Sequence, residues 1–143
     1  KYTSIRDQVH QHVRESSANR ILIAGHSGGG AVAALTFHDL SYAFPEKDVR
    51  AVAFGMPRVF NHRAAAEVNR YRDKFIRVVN GGDLVVMLPS PVFMYRHVGT
   101  RMQISPRRWY MPVSWYDHYP GYHDVLEEMV YEAGLTPSEL GLE

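Results

Sequence analysis

No cysteine occurs anywhere in this sequence. Its absence excludes a disulfide framework, a thiolate metal site and a cysteine nucleophile, and leaves the cellular compartment open. An excess of either charge is also missing: 16 Lys and Arg face 15 Asp and Glu, a formal net charge of +1. That balance supplies no attraction to nucleic acid, which is not expected as a partner, and no strong attraction to anionic membranes. No apolar run reaches the ~18 residues that span a bilayer. The start, at Lys1 rather than a methionine, has neither the apolar core nor the cleavage pattern of a signal peptide. The chain is therefore expected to be a trimmed piece of a longer protein. What is present, 45% hydrophobic residues with 12% aromatics over 143 positions, suffices for one core, read as a single domain over residues 1–143.

One stretch concentrates the chemistry. Ile21-Leu22-Ile23-Ala24 runs into Gly25-His26-Ser27-Gly28-Gly29-Gly30 and then into Ala31-Val32-Ala33-Ala34-Leu35. The apolar run predicts a buried strand, the glycines a sharp turn, and the small-residue run a helix lying close on a sheet. Ser27 at that turn matches G-x-S-x-G, the nucleophile elbow. Gly25 and Gly29 stand where strand and helix pass each other, and a side chain at either is expected to collide. Gly28 opens the helix, so its N–H, helped by the helix dipole, faces any oxyanion formed on Ser27 and supplies one half of an oxyanion hole. About one chain in twenty of this composition carries the bare pattern by chance, so the flanking strand and helix carry the weight. The alternative is a glycine-rich turn that holds a phosphate.

Tyr2, Ile5, Val9 and Val13 predict an amphipathic helix ending near Ser16. His10 and His12 fall within it as solvated or interfacial residues; two positions apart on a helix, they cannot share a metal. No metal or cofactor is expected. Strands over Val49–Gly55 and Lys74–Asn80, alternating with helices that include residues 63–70, imply an α/β fold with a mostly parallel sheet. The Ser27 strand, apolar on both faces, is expected mid-sheet with neighbours on each side. Tyr95 to Met102 reads as a further strand or hairpin.

In parallel sheets functional groups collect at the carboxyl ends of strands. That rule singles out Asp83, after the third strand and the pair Gly81-Gly82, on the same sheet edge as Ser27; a turn or cap role is its alternative. Arg107 to Tyr116 holds both tryptophans. It reads either as the lining of an acyl or aromatic pocket or as a loop whose aromatics simply pack over the core. His118, in a Pro/Gly-containing loop ahead of a final helix over residues 124–133, can reach back to Ser27 as its base. His123 is the rival, with a cap or packing role as its alternative. The order Ser, Asp, His is that of α/β-hydrolases.

Together, Gly25-His26-Ser27-Gly28-Gly29-Gly30-Ala31, Phe54-Gly55-Met56-Pro57-Arg58-Val59-Phe60-Asn61, Asn80-Gly81-Gly82-Asp83-Leu84-Val85-Val86-Met87-Leu88-Pro89, Tyr95-Arg96-His97 and Asp117-His118 resemble the class 3 lipases, the filamentous-fungal triacylglycerol lipase type. The resemblance runs from Tyr2 to Tyr122. It implies an α/β-hydrolase fold and serine carboxylic-ester hydrolysis through an acyl-enzyme. Ser27, Asp83 and His118 take the triad positions, the Gly28 N–H is an oxyanion donor, and no cofactor is needed. It further implies a lipid or other ester substrate, contact with a lipid–water interface, and a secreted protein. Two departures stand out. Members of the family usually carry a larger apolar residue, often leucine, at the position of Gly28. They also have an N-terminal portion bearing the first strands, the lid and the second oxyanion donor, so association with a missing N-terminal segment or a second chain is expected here. Feruloyl-type esterases, phospholipases A1 and thioesterases would share every residue named, and a catalytically silent lipase-like binding domain is a reading of a different class.

Overall fold

Val49, Ala51 and Ala53 alternate inward along one strand, and around it a parallel sheet is assembled. The computed structural model describes residues 2–106 and 113–134. In chain order the elements are α1 (Tyr2–Glu15), β1 (Arg20–His26), α2 (Gly28–Ala43), β2 (Asp48–Phe54), β3 (Phe60–Asn61), α3 (His62–Val68), β4 (Phe75–Val79), β5 (Tyr95–Arg96), β6 (Thr100–Gln103) and α4 (Gly121–Glu132). β1, β2, β4 and β6 form one sheet in that order, all parallel, with Gly25 opposite Ala53, Phe54 opposite Val78 and Arg77 opposite Arg101. β3 and β5 make a small antiparallel pair. The 95–102 region thus splits between two sheets, with Gly99 at φ +78° turning the chain between them. This is the α/β-hydrolase fold, with a mostly parallel central sheet.

The core lies between the sheet and α2. Ala34, Phe37 and Leu40 of α2 pack with Val49, Ala51, Ala53, Met56 and Phe75, and the small side chain of Ala34 allows the close approach that a small-residue helix predicts. α1 is tied to α2 through Asp39, which accepts hydrogen bonds from the Tyr2 hydroxyl at 2.5 Å, from Arg6 Nη2 at 3.0 Å and from His10. Burial pushes the Asp39 carboxyl up, but bonds from Arg6, Tyr2 and His10 outweigh it and lower the pKa to about 2.

Among the described residues β1 pairs with β2 alone, its side chains alternate between exposed and half-buried, and Leu22 is 68% exposed. An open edge with exposed apolar side chains is what is expected of a strand whose further neighbours lie outside this chain. The final helix starts earlier than expected, at Gly121 behind Pro120, which places His123 within its first turn. Of the aromatic loop, Arg107 to Pro112 lie outside the described residues; Trp115, Tyr116 and Tyr119 are exposed.

Candidate active site

Ser27 joins β1 to α2 with φ 56° and ψ −122°. A non-glycine residue at positive φ costs about 1–3 kcal/mol, so the surroundings must hold it. They do so through the Ser27 N–H, which donates to Phe54 O at 2.9 Å, and the Ala31 N–H, which donates to Ser27 O at 3.2 Å. At Gly25 a Cβ would stand 2.3 Å from Gly29 O, so no side chain fits there. Gly29 is different: a Cβ at that position meets nothing within 4 Å. The collision expected at both glycines is one-sided, because the crossing brings the backbone of Gly29 over the α-carbon of Gly25 and not the reverse. Gly28, the first residue of α2, keeps an N–H without an intrahelical acceptor.

Asp83 follows β4 and is wholly buried. Its carboxylate receives the Val85 N–H at 2.8 Å and the Tyr122 hydroxyl at 2.9 Å. His118 bridges the remaining distance: Nδ1 lies 3.0 Å from Asp83 Oδ2 and Nε2 lies 2.9 Å from Ser27 Oγ. A carboxylate only accepts, so Nδ1 carries the proton and Nε2 is free to accept from the serine hydroxyl. The three sequence candidates are therefore within hydrogen-bonding distance of one another in a single chain. His123 is not among them. It is exposed on α4, with Nδ1 3.6 Å from Asp124 and 3.7 Å from Glu127 on its own helix.

Four further residues shape the site. Gly55 ends β2 at φ +57°, and a Cβ there would stand 2.8 Å from Asp83 Oδ2 and 3.0 Å from His118 Nδ1. His26 stacks on His118, with ring centroids 4.8 Å apart, and its Nε2 donates to His118 O at 3.0 Å. Tyr122 accepts the Asn80 N–H at 3.0 Å while serving Asp83; burial, with Asp83 beside it, holds its hydroxyl well above the usual phenol range. Asp117 is buried and accepts the Gly82 N–H at 2.7 Å, and its backbone O takes the Asn80 amide at 3.1 Å. The sequence flags Asp117 only as the neighbour of His118, and offers Tyr122 only as part of the aromatic surroundings of the two histidines.

A parallel sheet with a strained serine at a strand-to-helix turn, and an aspartate and a histidine reaching it in that chain order, defines an α/β-hydrolase. The chain belongs to the class 3 lipase family: residues 1–93 match the family model described as Lipase (class 3). It is 32% identical over 129 residues to a secreted mono- and diacylglycerol lipase of Malassezia globosa, covering 87% of this chain and 41% of that protein. Lipase II from Rhizopus niveus has a similar structure, with a TM-score of 0.65 and 27% identity over 72% of this chain and 42% of that one. So does a triacylglycerol lipase whose catalytic centre is described as a serine protease triad, at TM-score 0.60 and 26% identity, over 72% of this chain and 42% of that one. The chain spans about two fifths of the length of the relatives it matches.

Proposed function

We propose that this chain carries the catalytic residues of a secreted carboxylic-ester hydrolase acting on acylglycerols, with Ser27 as nucleophile. His118 is the general base, Asp83 orients it, and the Gly28 N–H stabilises the oxyanion. The observation that carries this reading is the placement of one imidazole between Asp83 and Ser27, at 3.0 Å and 2.9 Å. Ser27 Oγ attacks the ester carbonyl as His118 Nε2 takes its proton. Asp83, already hydrogen-bonded to Nδ1–H, stabilises the imidazolium that results. The carbonyl oxygen, now negative, lies against the helix N-terminus at Gly28. His118 returns the proton to the departing alcohol, then activates the water that releases the acid from Ser27.

The substrate class is supported by the printed names of the relatives and by exposed apolar groups. Val92, Phe93 and Met94, with Trp115 beside His118, stand in water where a lipid–water interface would cover them. The free edge of β1 and the exposed Leu22 support association with an N-terminal segment or a second chain that completes the sheet.

A fluorophosphonate probe tests the assignment. Labelling of the parent protein, lost in Ser27→Ala, is expected; equal labelling of both, or none of the parent, overturns it, the latter in favour of a catalytically silent domain. A panel of acylglycerol, phospholipid and feruloyl esters then sets the substrate class, with fastest turnover expected on acylglycerols.

A further inference from the structure

A pocket of about 200 Å3 lies beneath the loop that follows β4. Arg58, Arg77, His97 and Arg101 line it, with Asp83 and Met87. Its charge is lopsided. Asp83 is its single carboxylate, and every donor found for that carboxylate comes from His118, Tyr122 and Val85, none from an arginine. Arg77 is the key group: it is only 8% exposed, its Nε is buried without a hydrogen-bond partner, and it has no ion pair among the described residues.

The strand register worsens its position. Arg77 on β4 stands directly opposite Arg101 on β6, and like charges opposed across a ladder repel. Arg58 adds a third guanidinium whose donors found here go to the backbone carbonyls of Met87 and Pro89, which carry no negative charge. A buried cation is ordinarily matched by an anion or by hydrogen bonds that use all its donors. Burial, reinforced by Arg101 and Arg58, lowers the Arg77 pKa to about 10.

His97 completes the pattern. Its Nε2 donates to Val86 O at 2.7 Å, which leaves Nδ1 as the acceptor, and that Nδ1 is also buried without a partner. Burial, with Arg77 nearby, lowers the His97 pKa to about 4, so the ring is neutral near pH 7. His97 therefore adds no positive charge, and the unbalanced charge of the pocket is that of its guanidiniums. Phosphate and sulfate present several anionic oxygens to a guanidinium fork, and chloride presents none.

We propose that this pocket is a binding site for a phosphate group, free or as a monoester, held by the guanidiniums of Arg77 and Arg101. Guanidinium forks suit the oxygens of such a group. Asp83 shares the lining, but the test reads binding rather than turnover and so stands apart from the ester-hydrolase reading.

Thermal denaturation and titration calorimetry of the full-length protein would be run with sodium phosphate, sulfate or chloride at matched ionic strength and neutral pH. Saturable stabilisation by phosphate and by its tetrahedral analogue sulfate, absent for chloride, is expected. Arg101→Gln, at an exposed position that leaves the core untouched, should weaken phosphate binding about tenfold, as one lost charge-assisted contact does. Arg77→Met should abolish saturable binding. Vesicles of phosphatidylcholine with and without phosphatidic acid separate the two sources of the group. Capture dependent on phosphatidic acid and on Arg101, and competed by inorganic phosphate, assigns the site to a lipid headgroup; calorimetric binding of phosphate with no such capture assigns it to a free anion. No saturable response to either, chloride stabilising as strongly as phosphate, or undiminished binding in both variants overturns the proposal.

Discussion

Removing one oxygen atom, in Tyr122→Phe, tests how the candidate acid is held. The Tyr122 hydroxyl lies 2.9 Å from Asp83 Oδ2 and accepts the Asn80 N–H at 3.0 Å. Phenylalanine keeps the ring against His26, Phe54 and His118, so packing is preserved and the hydroxyl alone is lost. A hydrogen bond to a carboxylate contributes about 1.5–3 kcal/mol and an orphaned buried N–H costs about 1–3 kcal/mol; because the two share one atom they do not sum in full. A destabilisation of about 2–4 kcal/mol is expected in urea denaturation. Asp83 keeps His118 and the Val85 N–H, so kcat on a short-chain p-nitrophenyl ester should fall only about tenfold, measured where the variant is fully folded. A variant within about 0.5 kcal/mol of the parent would refute the claim that this hydroxyl secures Asp83 and Asn80.

In ester-hydrolysis assays His118→Ala should lose about 10³-fold or more in kcat/KM, whereas His123→Ala, exposed on α4, should change little; the reverse pattern would reassign the base. Gly25→Ala sets a Cβ 2.3 Å from Gly29 O and should cost about 3 kcal/mol or prevent folding, while Gly29→Ala meets open space and should leave the melting temperature within a few degrees of the parent. Asp39 has a carboxyl lowered to about 2, so its contribution to stability is complete above the unfolded pKa of about 4 and is lost as pH falls from there. Asp39→Asn should flatten that acid limb of the stability curve, and an unchanged limb would show that the α1–α2 tie does not depend on its charge.

What could be read from the sequence is what local order encodes. The elbow needs an apolar strand, a glycine two residues before the serine and a small-residue helix after it, and all three are contiguous at residues 21–35. Asp83 was legible because β4 and the Gly81-Gly82 pair carry it to a predictable sheet edge, and His118 because it precedes the final helix. The rest depends on contacts between distant parts of the chain. Gly55 looks like a strand terminator until Asp83 and His118 are seen to fill the space a Cβ would take. His26 occupies the unspecified position of G-x-S-x-G, and its stacking on His118 spans more than ninety residues of sequence. Arg58, Arg77 and Arg101 look like scattered surface charges, and only the parallel register of β4 with β6 reveals two of them as opposed neighbours. Edge pairing is equally silent, because the apolar run of β1 reports only that both of its faces suit burial.

The end of β2 holds together the strands that carry Ser27 and Asp83. Phe54 O fixes the elbow through the Ser27 N–H, and the next residue, Gly55, donates its own N–H to Val78 O on β4 at 3.2 Å. That single peptide group, through its C=O on one side and its N–H on the other, therefore locks the strand that leads into Ser27 to the strand that leads to Asp83. In the same place the missing side chain of Gly55 opens the gap through which Asp83 meets His118. The far side of the site is closed by Asn80, which ties β4 to both Tyr122 and Asp117 across roughly forty residues of sequence. Backbone bonds thus fix the strand ends that carry Ser27 and Asp83, and the bonds of Asn80 hold the His118 loop against them, so the 2.9 Å and 3.0 Å distances are in place before any substrate arrives.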